Sequence, residues 1–107
     1  MSTTCTTNLL RAVTTTGDGD IFNALLAPLA ASIQAEITGA PAVCVINLMG
    51  MISGGTWDTL AVLDVTQGYI SGEVQPLALP TGVVQFKGNV SALSGGATVT
   101  LHLSTRG

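Results

Sequence analysis

Three basic and six acidic residues among 107 leave 8% of the chain charged and 47% hydrophobic. An ordinary soluble domain carries about 25% charged residues, so a free monomer would lack a polar coat, and much of this surface is expected to be covered by other protein. The net charge of −3, with Arg11, Lys87 and Arg106 far apart, excludes a phosphate-binding stripe and hence nucleic acid as a partner.

The membrane is excluded on length. Every apolar run is interrupted by Gly, Pro, Thr, Ser or Asn well short of the roughly 20 residues a spanning helix needs. Phe22, Trp57, Tyr69 and Phe86 are too few for the aromatic girdles of an outer-membrane barrel. The polar start, Ser2 to Thr7, lacks the basic patch and apolar core of a secretion signal. Cys5 and Cys44, 39 positions apart and without a Cys-x-x-Cys spacing, are expected to be free thiols and not zinc ligands.

In chain order, composition divides near residue 28 into a Thr-rich arm (1–28) and a regularly patterned region (29–107), within a single domain overall. In the arm, Leu9 to Thr15 is compatible with a first strand. Residues 20–27 read equally as a short helix capped by Asp20, with Ile21/Leu25 and Phe22/Leu26 paired at i and i+4, or as a strand or docked extended segment.

Leu29 to Thr38 alternates with period two, placing Leu29, Ala31, Ile33, Ala35 and Ile37 on one face, as in a half-buried strand. After the Gly39-Ala40-Pro41 turn, Ala42 to Met51 is apolar on both faces, the pattern of a strand central in a sandwich or pressed on a neighbouring subunit. Ser53 to Thr56 reads as a hairpin turn and Trp57 to Val65 as the returning strand. Tyr69 to Val74 forms a short strand ended by Pro76. Val84, Phe86 and Val90 share an inner face, with Gly88 a candidate bulge. Beyond Ser94-Gly95-Gly96, Val99, Leu101 and Leu103 alternate with outward Thr98, Thr100, His102 and Ser104. The expected fold is all-β: an antiparallel sandwich, Ig-like or jelly-roll-like, of about seven to eight short strands with an N-terminal arm.

The run Ile52-Ser53-Gly54-Gly55-Thr56-Trp57-Asp58-Thr59-Leu60-Ala61, followed by Val83 to Gly96 with its Phe86-Lys87-Gly88-Asn89-Val90 core, resembles small β-sandwich virion proteins of tailed bacteriophages. The resemblance covers about residues 29–105. It implies a capsid decoration or cement protein on the virion surface that binds the major capsid protein, with a homotrimer favoured, assembled in the host cytoplasm. An alternative from the same group is a head-fibre or tail-tip module in which Trp57 contacts host glycan.

Catalytic chemistry has little to build on, and no enzyme activity or cofactor is expected. His102 stands among outward hydroxyls. Asp18 and Asp20 share a spacing with calcium loops, but the fifth, sixth and twelfth positions counted from Asp18 are Phe22, Asn23 and Leu29. Asp58 and Asp64, an even number of residues apart on one strand, are expected to share an outer face as solvated carboxylates. The surfaces expected to meet partners are apolar: Leu9, Leu10, Val13, Ile21, Phe22, Leu25 and Leu26 in the arm, Val43, Val45, Met49 and Met51 in the two-faced strand, and Trp57 as an anchor.

Overall fold

The computed structural model describes residues 4–24 and 27–106. Its strands are β1 (Thr4–Val13), β2 (Gly17–Asp18), β3 (Phe22–Asn23), β4 (Ala30–Thr38), β5 (Cys44–Ile52), β6 (Asp58–Asp64), β7 (Val74–Leu77), β8 (Val83–Leu93) and β9 (Thr98–Arg106), with one 3-10 turn at Val65–Gln67. One sheet runs β1-β9-β4-β7 and the other β2-β8-β5-β6, with β3 also paired to β8, and every pairing is antiparallel.

With β2 and β3 counted as one interrupted strand, the pairings describe a long hairpin. The first strand lies on the last, β2/β3 on β8, β4 on β7, and β5 on β6. That hairpin is rolled up so that β4 also meets β9, and β5 meets β8. This is the jelly-roll path, two Greek keys closed into two sheets. It brings both ends of the chain to one end of the sandwich, where β4 begins, β5 ends and β6 begins.

The core lies between the sheets. Ala31, Ile33 and Ala35 of β4, Cys44, Ile46 and Leu48 of β5, and Val99, Leu101 and Leu103 of β9 are buried at alternate positions, as the period-two patterning of these strands predicts. β5 sits between β8 and β6, which accounts for its two apolar faces: one fills the core and the other, carrying Val45, Met49 and Met51, lies half-buried on the outside of the sheet.

The segment 1–28 is not an arm beside the sandwich. Over its described residues it supplies β1 to one sheet and β2 and β3 to the other. Its alternation is hidden by two bulges in the β1–β9 ladder, between Asn8 and Leu10 and between Leu10 and Val13. The bulges let adjacent Leu9 and Leu10 both reach the core at 2% exposure. Ala12 takes φ of 46° there, and its N–H donates to Thr100 Oγ1 at 3.0 Å. Residues 20–24 form no helix: Phe22 pairs with Phe86 across β3 and β8, ring centroids 6.3 Å apart, and the Ala24 N–H donates to the Val84 carbonyl.

Other expectations are corrected in detail. Leu29 lies outside β4 and is exposed. Tyr69 is in no strand. It is buried, accepting from the Ala35 N–H at 2.8 Å and donating to the Glu73 carbonyl at 2.7 Å, so its hydroxyl serves β4 where short β7 has not yet begun. Pro76 lies within β7, an edge strand that tolerates a missing N–H. Val83, not Val84, points inward, because a register shift opposite Met51 and Ile52 leaves Val84 over. A second shift, at Leu60, places Asp58 across from inward Gly50 and Asp64 across from outward Val45, so the two carboxylates do not share a face.

Gly88 marks no bulge. It occupies a regular inward position where a Cβ would stand 2.9 Å from both Leu10 Cγ and Leu101 Cδ2. Bare backbone there lets two leucines of the opposite sheet close down.

On the sheet edge, β2 is held to β8 by Asp18, which accepts from Asn89 Nδ2 at 2.7 Å and from Lys87 Nζ at 3.1 Å. The Asn89 bond first, and then Lys87, hold the Asp18 carboxyl below the usual carboxylate range.

Substituting Gly88→Val is expected to destabilise the fold by about 1–3 kcal/mol through overpacking, whereas Gly95→Ala, which meets nothing within 4 Å, stays near neutral; urea titrations of both variants check this. Tyr69→Phe strands the Ala35 N–H and should lower stability by about 1–3 kcal/mol, read as a shifted urea midpoint with unchanged slope. Because the Asp18 pKa is depressed in the fold, its contribution is present above the unfolded value of about 4 and fades as pH falls through the folded one. Wild type should therefore exceed Asp18→Asn in melting temperature at pH 7, by a margin that shrinks towards pH 3.

Candidate functional site

The outer face of the β2-β8-β5-β6 sheet carries a polar row that crosses three strands. Asn47 Nδ2 of β5 donates to Asn89 Oδ1 of β8 at 3.1 Å, and Asn89 Nδ2 donates in turn to Asp18 of β2. Next to this row, Met49 stands opposite Lys87 on one side and Thr59 on the other. The Lys87 ammonium, bound to Asp18, lies 4.6 Å from the centroid of the Trp57 ring. Trp57 is thus anchored by a cation over one indole face, an arrangement worth about 0.5–1 kcal/mol at an exposed site.

Trp57 belongs to the connection between β5 and β6. Gly54 takes φ of 74° in its turn, and the Gly55 N–H donates to the Ile52 carbonyl at 2.9 Å. The turn sets the indole at the mouth of an open cleft of about 430 Å³ between this connection, Pro80 and the start of β8. Met51, Ile52, Leu60 and Val83 make its walls apolar, and Asp58 is the charged residue among them. Leu60 and Val83 pack against the bare backbone of Gly50, where a Cβ would run into both.

The opposite outer face, of the β1-β9-β4-β7 sheet, carries mostly hydroxyls and amides, with Val74 exposed on β7. Thr38 and Thr98 bond across β4 and β9, and Glu36 pairs with His102 at 3.1 Å. The single histidine is therefore engaged by a neighbouring strand and stands apart from both cysteines. Cys44 is buried, and burial pushes its thiol up and away from nucleophilic character; Cys5 is exposed at the start of β1. Among the described residues, no group of three or more His, Cys, Asp or Glu side chains is placed to hold a metal ion. Among the same residues, no helix is long and apolar enough to cross a membrane.

The predicted interface residues separate into groups. Leu9 and Leu10 are core, and Val13 and Phe22 pack against it, so these four are spent on the fold. Ile21 and Val43 are exposed, at 52% and 43%, but lie apart, Ile21 between β2 and β3 and Val43 at the far end before β5. Leu25 and Leu26 fall outside the described residues. Val45, Met49, Met51 and Trp57 stand together on or beside the outer face of β5.

Sequence reasoning missed Leu29, Ile52, Val62, Ile70 and Val74, all at least half exposed. For Val74 a signal existed: it lies three residues from buried Leu77, an odd separation that sends it to the other face of β7. For Leu29 the signal ran the wrong way, since its parity matches the inward residues of β4.

No known family profile matches this sequence, and no curated protein does. Among solved structures, the fold is similar to the crystal structure of YomS, a protein derived from the SPBc2 prophage, with a TM-score of 0.73 and 13% sequence identity. The similarity covers 100% of this chain and 96% of the other, so the whole rolled hairpin, β1 to β9, is common to the two.

Proposed function

We propose that the chain is a structural virion protein of a tailed bacteriophage, a decoration protein that lies on the capsid surface, binds the major capsid protein and stabilises the head as an oligomer, a trimer being favoured. The observation that carries this reading is an excess of apolar surface on a sandwich whose own core is already filled. Among the described residues, seven large hydrophobic side chains remain exposed on a chain with nine charged residues, and this is surface that association with other protein would cover. The fold shared end to end with a prophage-derived protein supports the phage setting. The hydroxyl-rich outer face of the β1-β9-β4-β7 sheet supports a surface position, because it can meet water while the ends and the β5 face are covered.

The structure changes which part of the chain is expected to make the contact. Residues 4–13 hold the core together, so removing the N-terminal segment would unfold the sandwich and not merely undock it. Contact with the shell is assigned instead to the outer β5 face with Met49, Met51 and Trp57. Lys87 already covers one face of the Trp57 ring, which leaves less of it for stacking on a sugar.

Purified particles of the phage or prophage that encodes the chain, examined by quantitative mass spectrometry and electron cryomicroscopy, should contain it in a number matching the head lattice, as density outside the shell. Absence from purified particles, or a few copies confined to the tail, would overturn the reading. Met49→Glu is expected to reduce occupancy on the head while leaving the β signal in circular dichroism intact.

A further inference from the structure

Leu29 is the most exposed large hydrophobic side chain among the described residues, at 83%. Its N–H donates to the Arg106 carbonyl at 2.8 Å, which fixes this leucine beside the exposed arginine at the end of β9. The pair forms an apolar knob flanked by a cation. Among the described residues Arg106 has no ion pair: the two salt bridges use Lys87 with Asp18 and His102 with Glu36.

The cleft at Trp57 is its complement. It is apolar along Met51, Ile52, Leu60 and Pro80, and its single charged lining residue, Asp58, is exposed and likewise without an ion pair among the described residues. Knob and cleft lie at the same end of the sandwich, on different sheets: the knob where β4 begins and β9 ends, the cleft where β5 ends and β6 begins.

We propose that this end is a contact between copies of the chain, in which Leu29 of one copy enters the Trp57 cleft of another and Arg106 pairs with its Asp58. The occupant is a second copy because the chain itself carries the matching shape and sign, and because it has so few charges that an unpaired cation beside an exposed leucine and an unpaired anion inside an apolar cleft are a selective match. Knob and cleft are different surfaces, so the contact is head-to-tail unless a twofold axis places both pairs in register; closure of the head-to-tail form gives a ring. This inference rests on the reading above in taking the chain to work as an oligomer.

Sedimentation velocity of the full chain tests it, with Leu29→Asp, Arg106→Glu, Asp58→Arg and the double variant Arg106→Glu/Asp58→Arg, each checked for folding by circular dichroism. Wild type should sediment as an oligomer, each single variant should associate at least about tenfold more weakly, a loss of about 1.4 kcal/mol, and the double variant should regain most of the association. Single variants that associate like wild type, a double variant as weak as its parents, or a monomeric wild type would each overturn the contact. Occupancy on particles is read separately: wild-type occupancy with no effect of these variants on mass defeats this contact and leaves the virion reading standing, whereas charge-swap rescue without occupancy on particles does the reverse.

Discussion

Leu10 and Leu101 closing on the bare backbone of Gly88 is the contact on which the rest of the sandwich depends. It joins the first strand, the last strand and the last but one, and so sets the spacing of the two sheets where the rolled hairpin closes. Nothing local favours it. Leu10 is separated from Gly88 and Leu101 by most of the chain, so the loop-closure entropy is incurred before the core contacts form, and a jelly roll of this kind is expected to fold slowly among domains of its size. The bulges in β1 serve the same contact, since without the extra residue Leu9 and Leu10 would face opposite sides and one of them would leave the core.

How much of this was legible follows from the same point. Where a strand keeps strict alternation, as β9 does from Thr98 to Ser104 or β4 from Ala31 to Ile37, the inner face can be read directly from the sequence. Where the ladder carries an extra residue, parity stops being informative: it reads Leu9-Leu10 as an apolar arm, Val84 as inward in place of Val83, and Asp58 and Asp64 as sharing a face. The two-faced pattern of β5 was legible as a central strand, but the pattern alone does not separate a covered outer face from an open one. Tyr69 was missed for a different reason. Its position is fixed by a hydroxyl that stands in for a missing strand, and no periodicity encodes that. The Trp57 site was legible only as a residue; its neighbour Lys87 comes from a strand 30 positions away, and their meeting depends on Met49 lying between β8 and β6 in the sheet.

Part of the sparse charge fastens elements to one another. Lys87 bonds Asp18 and covers Trp57, tying β2 and the β5–β6 connection to β8 with one side chain. His102 and Glu36 link β9 to β4. Two of the three basic side chains, Arg11 and Arg106, have no acidic partner among the described residues. With so few ions in the chain, the exposed apolar side chains at the ends of the sandwich have little polar cover.

Which surfaces can associate is narrowed further by the sheet edges. β7 carries Pro76, which cannot donate to an added strand; β1 is bent by two bulges; the β2/β3 edge is interrupted at Asp20 and Ile21; and β6 is irregular at Leu60 and bounded by Asp58 and Asp64. Each is a known way of discouraging open-ended strand pairing. With the edges blunted, the association proposed above falls to side chains on the faces and ends of the sandwich. Contacts of that kind have a fixed geometry and close on themselves when their rotation permits it, whereas added strands repeat without limit. In the contact proposed between copies, that difference separates a defined assembly from an aggregate, and it favours the knob at Leu29 and the cleft at Trp57 over any strand edge.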